Sequence, residues 1–263
     1  ALNMFFFCGL STIFWGVMFG SYFGDVVTVV STTFFHNPVN VPALWFVPVN
    51  EPMRLLLYSF IIGILHLFTG LGIQGYQLWK AKRYKDAVYD VGFWFLLLIS
   101  LVVFALCSDM VPKILQIPFV LPEPAGTISG AGAICGAVGI ILTSGRESRN
   151  PFKRLMKGLY GLYNVTGYLS DVLSYSRLLA LGLATGVIAS VVNQMAAMTG
   201  NIVVFVIIFL VGHTLNIAIN LLGAYVHANR LQYVEFFGKF YEGGGRKFQP
   251  FSAKTQYFKI KEK

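Results

Sequence analysis

Apolar residues run along this chain in six blocks, at about 2–24, 54–79, 87–107, 126–143, 159–198 and 201–237. The blocks are continuous and do not alternate, so they predict helices and not strands. Each of the first four matches the roughly 20 residues that a helix needs to cross a bilayer core. The last two are too long for that task. Residues 159–198 would make a helix of about 60 Å and residues 201–237 one of about 55 Å, against a hydrocarbon core of about 30 Å. Only Thr199 and Gly200 separate them. They are therefore expected to form an antiparallel hairpin, tilted by roughly 50–60° from the membrane normal or projecting from the membrane.

The polar positions inside these two blocks are periodic. His213, Asn216, Asn220, His227 and Arg230 recur at helical spacing in the sixth, with Gly223 filling the gap. Ser170, Ser174, Arg177 and Thr185 share a face of the fifth, Asp171 lies near it, and Gly182 and Gly186 give that helix a thin strip. Such a stripe is either interhelical glue or the wall of an aqueous path. The second reading also accounts for the arginines. An arginine near a bilayer centre costs about 3 kcal/mol on insertion scales. Arg177 lies deep within its block, where snorkelling is harder than for Arg54; an ion pair with Asp171 is a further possibility. The guanidinium stays charged when partly desolvated, whereas lysine can lose its proton. A fixed cation repels small cations and holds a carboxylate in its ionised form.

Composition narrows the class. Apolar residues make up 56% of the 263 residues and charged residues only 12%. Mean hydropathy is +0.67. The chain therefore reads as an all-α integral membrane protein with six crossings. The net charge of +9 is not a nucleic-acid signature, because sixteen of the twenty basic residues sit in three short loops or tails. These are Lys80, Lys82, Arg83 and Lys85; Arg146, Arg149, Lys153, Arg154 and Lys157; and Lys239, Arg246, Lys247, Lys254, Lys259, Lys261 and Lys263. The intervening loops are proline-rich (Pro38, Pro42, Pro48, Pro52; Pro112, Pro118, Pro122, Pro124) and hold Lys113, with Arg54 at their edge. The positive-inside rule places both ends of the chain in the cytoplasm and the proline loops outside.

Other features are quieter. Cys8, Cys107 and Cys135 show no ligand spacing and read as small apolar residues. Gly126, Gly130, Gly132, Gly136 and Gly139 give the fourth block small-xxx-small spacing, which lets helix backbones approach closely. The run GGGRK at 243–247 lacks phosphate-loop spacing. Ala1 lies within an apolar run, with no initiator Met and no basic n-region, so the chain reads as a piece of a larger protein and not as a signal peptide. Residues 1–158 are expected to be a four-helix scaffold and 159–263 the hairpin with a basic tail.

Three runs carry a resemblance: STIFWGVMFGSYFGD (11–25), GYLSDVLSYSRLLALGLATG (167–186) and VHANRLQYVEFFGKFYEGGGRKFQPFS (226–252). They resemble the membrane domain of subunit a of rotary V-type and A/V-type ATPases, called subunit I in bacteria. The resemblance implies that an N-terminal stalk domain and two earlier membrane helices are absent. It implies that peripheral-stalk subunits bind through that domain. It also implies that Arg177 and Arg230 face a rotor ring of c or K subunits, each carrying a membrane carboxylate that binds H⁺ or Na⁺.

Glu235 matches the acidic residue one turn past the second arginine, and the resemblance places it in the cytoplasmic half-channel. His227 matches the histidine three residues before that arginine. The chain departs from eukaryotic relatives at Thr185, where they carry histidine, and at Asn220, where they carry glutamate. Losing two proton carriers while keeping oxygens points towards Na⁺ over H⁺ and fits a bacterial member; both ions stay open. The expectation is a non-catalytic stator subunit in the plasma membrane that needs no cofactor. It would form two half-channels for the transported cation, lined by Asp171, Ser174, Thr185, His213, Asn216, Asn220, His227 and Glu235. Its partners would be the rotor ring, the peripheral stalk and lipid, and not nucleic acid. The alternative is a self-contained secondary cation transporter, which usually shows internal repeats, and none is visible. A plain membrane anchor leaves both arginines unexplained. Either way, the arginines are expected to lack an adequate counter-ion within the chain, unless Asp171 supplies one.

Overall fold

The structure is a computed structural model that describes residues 2–108, 112–113, 122–146, 150–241, 243–245 and 248. Among these residues the fold is helical, with a lone bridge between Tyr22 and Asp25. Arg149, Pro118 and the basic tail residues from Arg246 onward lie outside the described residues. In chain order the elements are α1 (Leu2–Met18), α2 (Val26–Phe35), α3 (Pro52–Lys80), α4 (Tyr84–Cys107), α5 (Glu123–Ser144), α6 (Pro151–Ser174), α7 (Ser176–Met198) and α8 (Ile202–Lys239).

Among the described residues, five helical stretches are long and apolar enough to cross a membrane. The first block is not one of them. It ends after 17 residues, where Gly20, Phe23 and Gly24 take positive φ, and the ten-residue α2 follows within the stretch expected to be a proline-rich loop. A side chain at Gly20 would press within 2.7 Å of Ala43, so the loop from 36 to 51 closes over the break. The fifth block is longer than its apolar run suggests. It starts at Phe152 and spans 47 residues, interrupted at Tyr175 between α6 and α7. The sixth extends 38 residues to Lys239. Its last turns leave α geometry: Leu231–Phe236 is a π turn and Phe237–Lys239 a 3₁₀ turn.

Helix ends follow the local sequence. Pro52 and Pro151 occupy the first helical position of α3 and α6, where a missing N–H costs nothing. The hairpin tip is Gly200 at φ +62°, followed by Asn201, whose side chain accepts from Val203 N at 2.9 Å and caps α8. The glycines of α5 pack against α4 as their spacing predicts: a Cβ on Gly136 would lie 3.0 Å from Leu97, and one on Gly126 would lie 3.4 Å from Cys107. Arg146 ties the end of that pair by reaching Asp86 at 2.6 Å and Asp90 at 2.9 Å. Apolar side chains such as Phe5, Phe6, Phe7, Leu215, Ile219 and Leu222 stay exposed, as expected where lipid is the solvent.

Candidate functional site

The break at Tyr175 sits two residues before Arg177. Tyr175 is 2% exposed, and its ring lies over Gly63 of α3, where a Cβ would come within 2.8 Å. Its hydroxyl is 2.5 Å from His66 Nδ1. His66 in turn stacks on Phe236 at 4.2 Å. This wedge joins α3, α6 and the π turn of α8 at one point.

Beside the wedge lies Arg177. Its Nη2 donates to Ser174 Oγ at 2.8 Å, and Ser174 Oγ donates to Glu235 Oε1 at 2.7 Å. Arg177 Nη1 also faces Glu235 Oε1 at 3.5 Å. The Glu235 side chain is only 3% exposed, and its Oε2 has no hydrogen-bond partner among the described residues. Sequence spacing put Ser174 and Arg177 on one face, the family resemblance placed Glu235 in a half-channel, and the structure brings all three together. It corrects the counter-ion. Arg177 has an intrachain carboxylate, and that carboxylate is Glu235 and not Asp171. Asp171 forms an ion pair with Lys239, whose ammonium also lies 4.1 Å from the centre of the Tyr168 ring. Lys239 is therefore not a solvated tail residue: its side chain is 17% exposed.

Arg230 is exposed and forms no ion pair among the described residues, on a helix whose neighbouring Tyr225, Val226, Tyr233 and Val234 are also exposed. His227 lies a turn earlier, and its buried Nδ1 has no hydrogen-bond partner among the described residues.

Further along the hairpin a second polar group crosses between α7 and α8. The Thr185 hydroxyl lies 2.7 Å from Asn220 Oδ1, and Asn220 Nδ2 donates to Asn216 O at 2.7 Å and Oδ1 at 2.5 Å. His213 Nε2 meets Asn193 Oδ1 at 2.9 Å. Asn193 is fully buried and donates to Phe23 O at 2.7 Å and Asp25 Oδ1 at 3.0 Å. The hairpin is thus tied to the break after α1. A cavity of about 560 Å³ opens there, bounded by Tyr22, Asp25, Asn50, Thr185, Gly186 and Ser190 among others. Val49 and Leu55 fill the thin strip at Gly186 and Gly182.

Asp25, Asn193, His66, Tyr175 and Lys239 escaped the sequence reading. Lys239 stands four residues after Glu235, a helical spacing that could have been read as one face with it. Asp25 and Asn193 are single polar residues whose partners are remote in sequence, and no periodicity marks them. No set of three His, Cys, Asp or Glu side chains among the described residues is arranged to hold a metal.

Residues 163–253, which hold both arginines, Ser174 and Glu235, match the V-type ATPase 116 kDa subunit family. Over this stretch the chain belongs to that family. An A-type ATP synthase subunit I from Methanocaldococcus jannaschii is 36% identical across 95% of the chain and 38% of its own length. That of Pyrococcus horikoshii is 34% identical, with coverages of 92% and 34%. A V-type ATP synthase subunit I from Chlamydia pneumoniae is 28% identical, with coverages of 76% and 28%. The chain therefore spans little more than a third of the length of the first two relatives. The five long apolar helices among its described residues, together with these relatives, make it a multi-pass membrane protein.

Proposed function

We propose that this chain is the ion-path portion of the stationary membrane subunit of a V-type rotary ATPase. The observation that carries the reading is the contrast between its two arginines. Arg177 is held in place by Ser174 and the buried Glu235. Arg230 is exposed on the outer face of α8 without an ion-pair partner among the described residues. A permanent cation on a lipid-facing surface is costly unless something anionic meets it there. In this reading a carboxylate of a neighbouring rotor ring does so, each time a rotor subunit passes. Residues toward Glu235 and Asp171 form the wall of a cytoplasmic half-channel. The cavity reaching Thr185, backed by Asn220, Asn216 and His213, leads to the other side. The arginines interrupt the route between the two, so that an ion crosses only on the rotor.

The subunit carries no catalytic site in this reading; ATP chemistry belongs to other subunits of the complex. Stalk subunits bind through the portion of the longer relatives that this chain does not cover. The positive-inside pattern puts the basic loops and the Lys239 end on the cytoplasmic face of the plasma membrane. Thr185 and Asn220 present oxygens that suit a metal cation, which favours Na⁺ as the transported ion. A self-contained transporter would enclose its ionisable groups, and an exposed Arg230 does not suit it.

The test is ATP-driven uptake of radioactive sodium by the reconstituted whole complex, with and without a protonophore. Uptake should persist with the protonophore and vanish when both Arg177 and Arg230 are alanine. Normal rates in that double variant would sink the reading, and loss of uptake on protonophore addition would overturn the choice of Na⁺.

A further inference from the structure

Glu235 stands in an unusual piece of backbone. π turns are rare, occur mostly as single turns and are often found at functional sites. The turn Leu231–Phe236 must be held, because an α-helical winding of the same residues would turn Glu235 to a different direction. On its N-terminal side it continues the regular helix to Arg230. On its C-terminal side two contacts hold it. Phe236 stacks on His66 of α3 at 4.2 Å. Lys239, one helical turn past Glu235, pairs with Asp171 of α6 and lies over the Tyr168 ring.

These contacts form a ladder. Along α6, Tyr168, Asp171 and Ser174 follow at three-residue steps, and along α8 Lys239 and Glu235 follow at a four-residue step. The rungs are Tyr168 and Asp171 with Lys239, then Ser174 with Glu235. The ion pair is mostly shielded, with side chains 17% and 21% exposed. Such a pair is seldom chosen for stability alone, since apolar residues of similar size often serve as well. It does tie one position of α6 to one position of α8, and so helps to set their register.

We infer that Asp171 and Lys239 are positioning residues for Glu235: their ion pair clamps the π turn so that the Glu235 carboxylate rests on Ser174 and Arg177. The inference rests on the function proposed above. Without the clamp, Glu235 leaves Arg177, and the carboxylate is no longer held where the transported cation must pass. The groups facing this patch are Arg177, Lys239, Asp171, Glu235 and the His66 ring. Removing Asp171 and Lys239 together therefore leaves the formal charge of the patch unchanged.

The test uses the whole complex in vesicles, with initial rates of radioactive sodium uptake and, in parallel, of a pH-sensitive dye. Rates are taken against cation concentration and normalised to assembled complex. The neutral variant Asp171→Asn/Lys239→Met should raise the half-saturating cation concentration about tenfold, the scale of losing a group that orients a cation-binding carboxylate, with a smaller fall in maximal rate. Lys239→Arg and the exchange Asp171→Lys/Lys239→Asp should return it close to the original. An unchanged half-saturation in the neutral variant, or a fall in assembly and maximal rate alone, overturns the inference. If the neutral variant does not assemble, the exchange variant decides: original half-saturation supports the clamp, while a shifted value or a second failure to assemble overturns it. Glu235→Gln separates the two levels. Full transport in that variant sinks the proposed function itself; loss of transport there, beside an unaffected neutral variant, sinks only the clamp.

Discussion

The seam between α4 and α5 and the seam between α7 and α8 join neighbouring helices by opposite means. Gly126, Gly136 and Gly139 bring α5 against Cys107, Leu97 and Phe93 of α4. The hydroxyls there turn back on their own helix: Ser129 donates to Gly126 O at 3.0 Å and Thr143 to Gly139 O at 2.7 Å. Between α7 and α8, polar side chains cross instead, through Thr185 with Asn220 and Asn193 with His213. A hydrogen bond between membrane helices contributes only about 0.6 kcal/mol on average. Glycine packing holds helices together at least as well, and α4 and α5 already use it. Each bond across the polar seam therefore adds little stability by itself. The proposed ion path would use the oxygen and nitrogen atoms that cross this seam, whereas the Ser129 and Thr143 hydroxyls of the glycine seam are spent on their own helix.

Four substitutions sharpen or break this contrast. Arg177→Ala should have the largest effect, lowering coupled transport by about 100-fold or more, as removal of a preorganised charged donor does; a rate near the original would remove the hairpin from the ion path. Gly136→Leu should destabilise the protein by about 1–3 kcal/mol through overpacking, seen as a lower thermal midpoint in detergent, while ion half-saturation stays put. A changed half-saturation there would mean that the two seams are not separate in function. Asn193→Leu removes the buried link from α7 to Asp25 and His213 and should lower stability by about 1–2 kcal/mol. If the thermal midpoint does not move, that network is not holding the loop after α1. Thr185→Val should cost about 0.6 kcal/mol of stability at most, yet slow ion transport. Equal transport by this variant would return Thr185 to the role of simple glue.

The helices were legible because a bilayer imposes long apolar runs, and α3, α4 and α5 fall close to their predicted limits. The interruptions were not. The break at Tyr175 lies within an unbroken run of helix-compatible residues, and what produces it is the ring seated over Gly63 of α3, more than a hundred residues away. The early end of the first block depends on Gly20 and Gly24 taking positive φ, which a run rich in Phe conceals. At the site, Arg177, Ser174 and Glu235 were readable from spacing and from family resemblance. Their pairing was less so. Asp171 is nearer to Arg177 in sequence, but six residues along a helix place the two on different faces, and the carboxylate that reaches Arg177 comes from α8. Lys239 looked like one more basic residue of the tail because it stands past the last apolar run, as Arg246 and Lys247 do, and its spacing from Glu235 counts only if the helix continues that far. Its role depends on how far the helix continues, and the π and 3₁₀ turns extend it past its last apolar run.

Gly24 bears on how the cavity beside Thr185 can change shape. A Cβ there would lie 3.0 Å from Ala189 Cβ and 3.1 Å from Ser190 N of α7. The loop after α1 is thus seated on the helix backbone itself, with no side chain between as a cushion. Its neighbour Asp25 is fastened to Asn193 of the same helix. A rim mounted in this way should move with α7 and not apart from it, and the shape of the cavity with it.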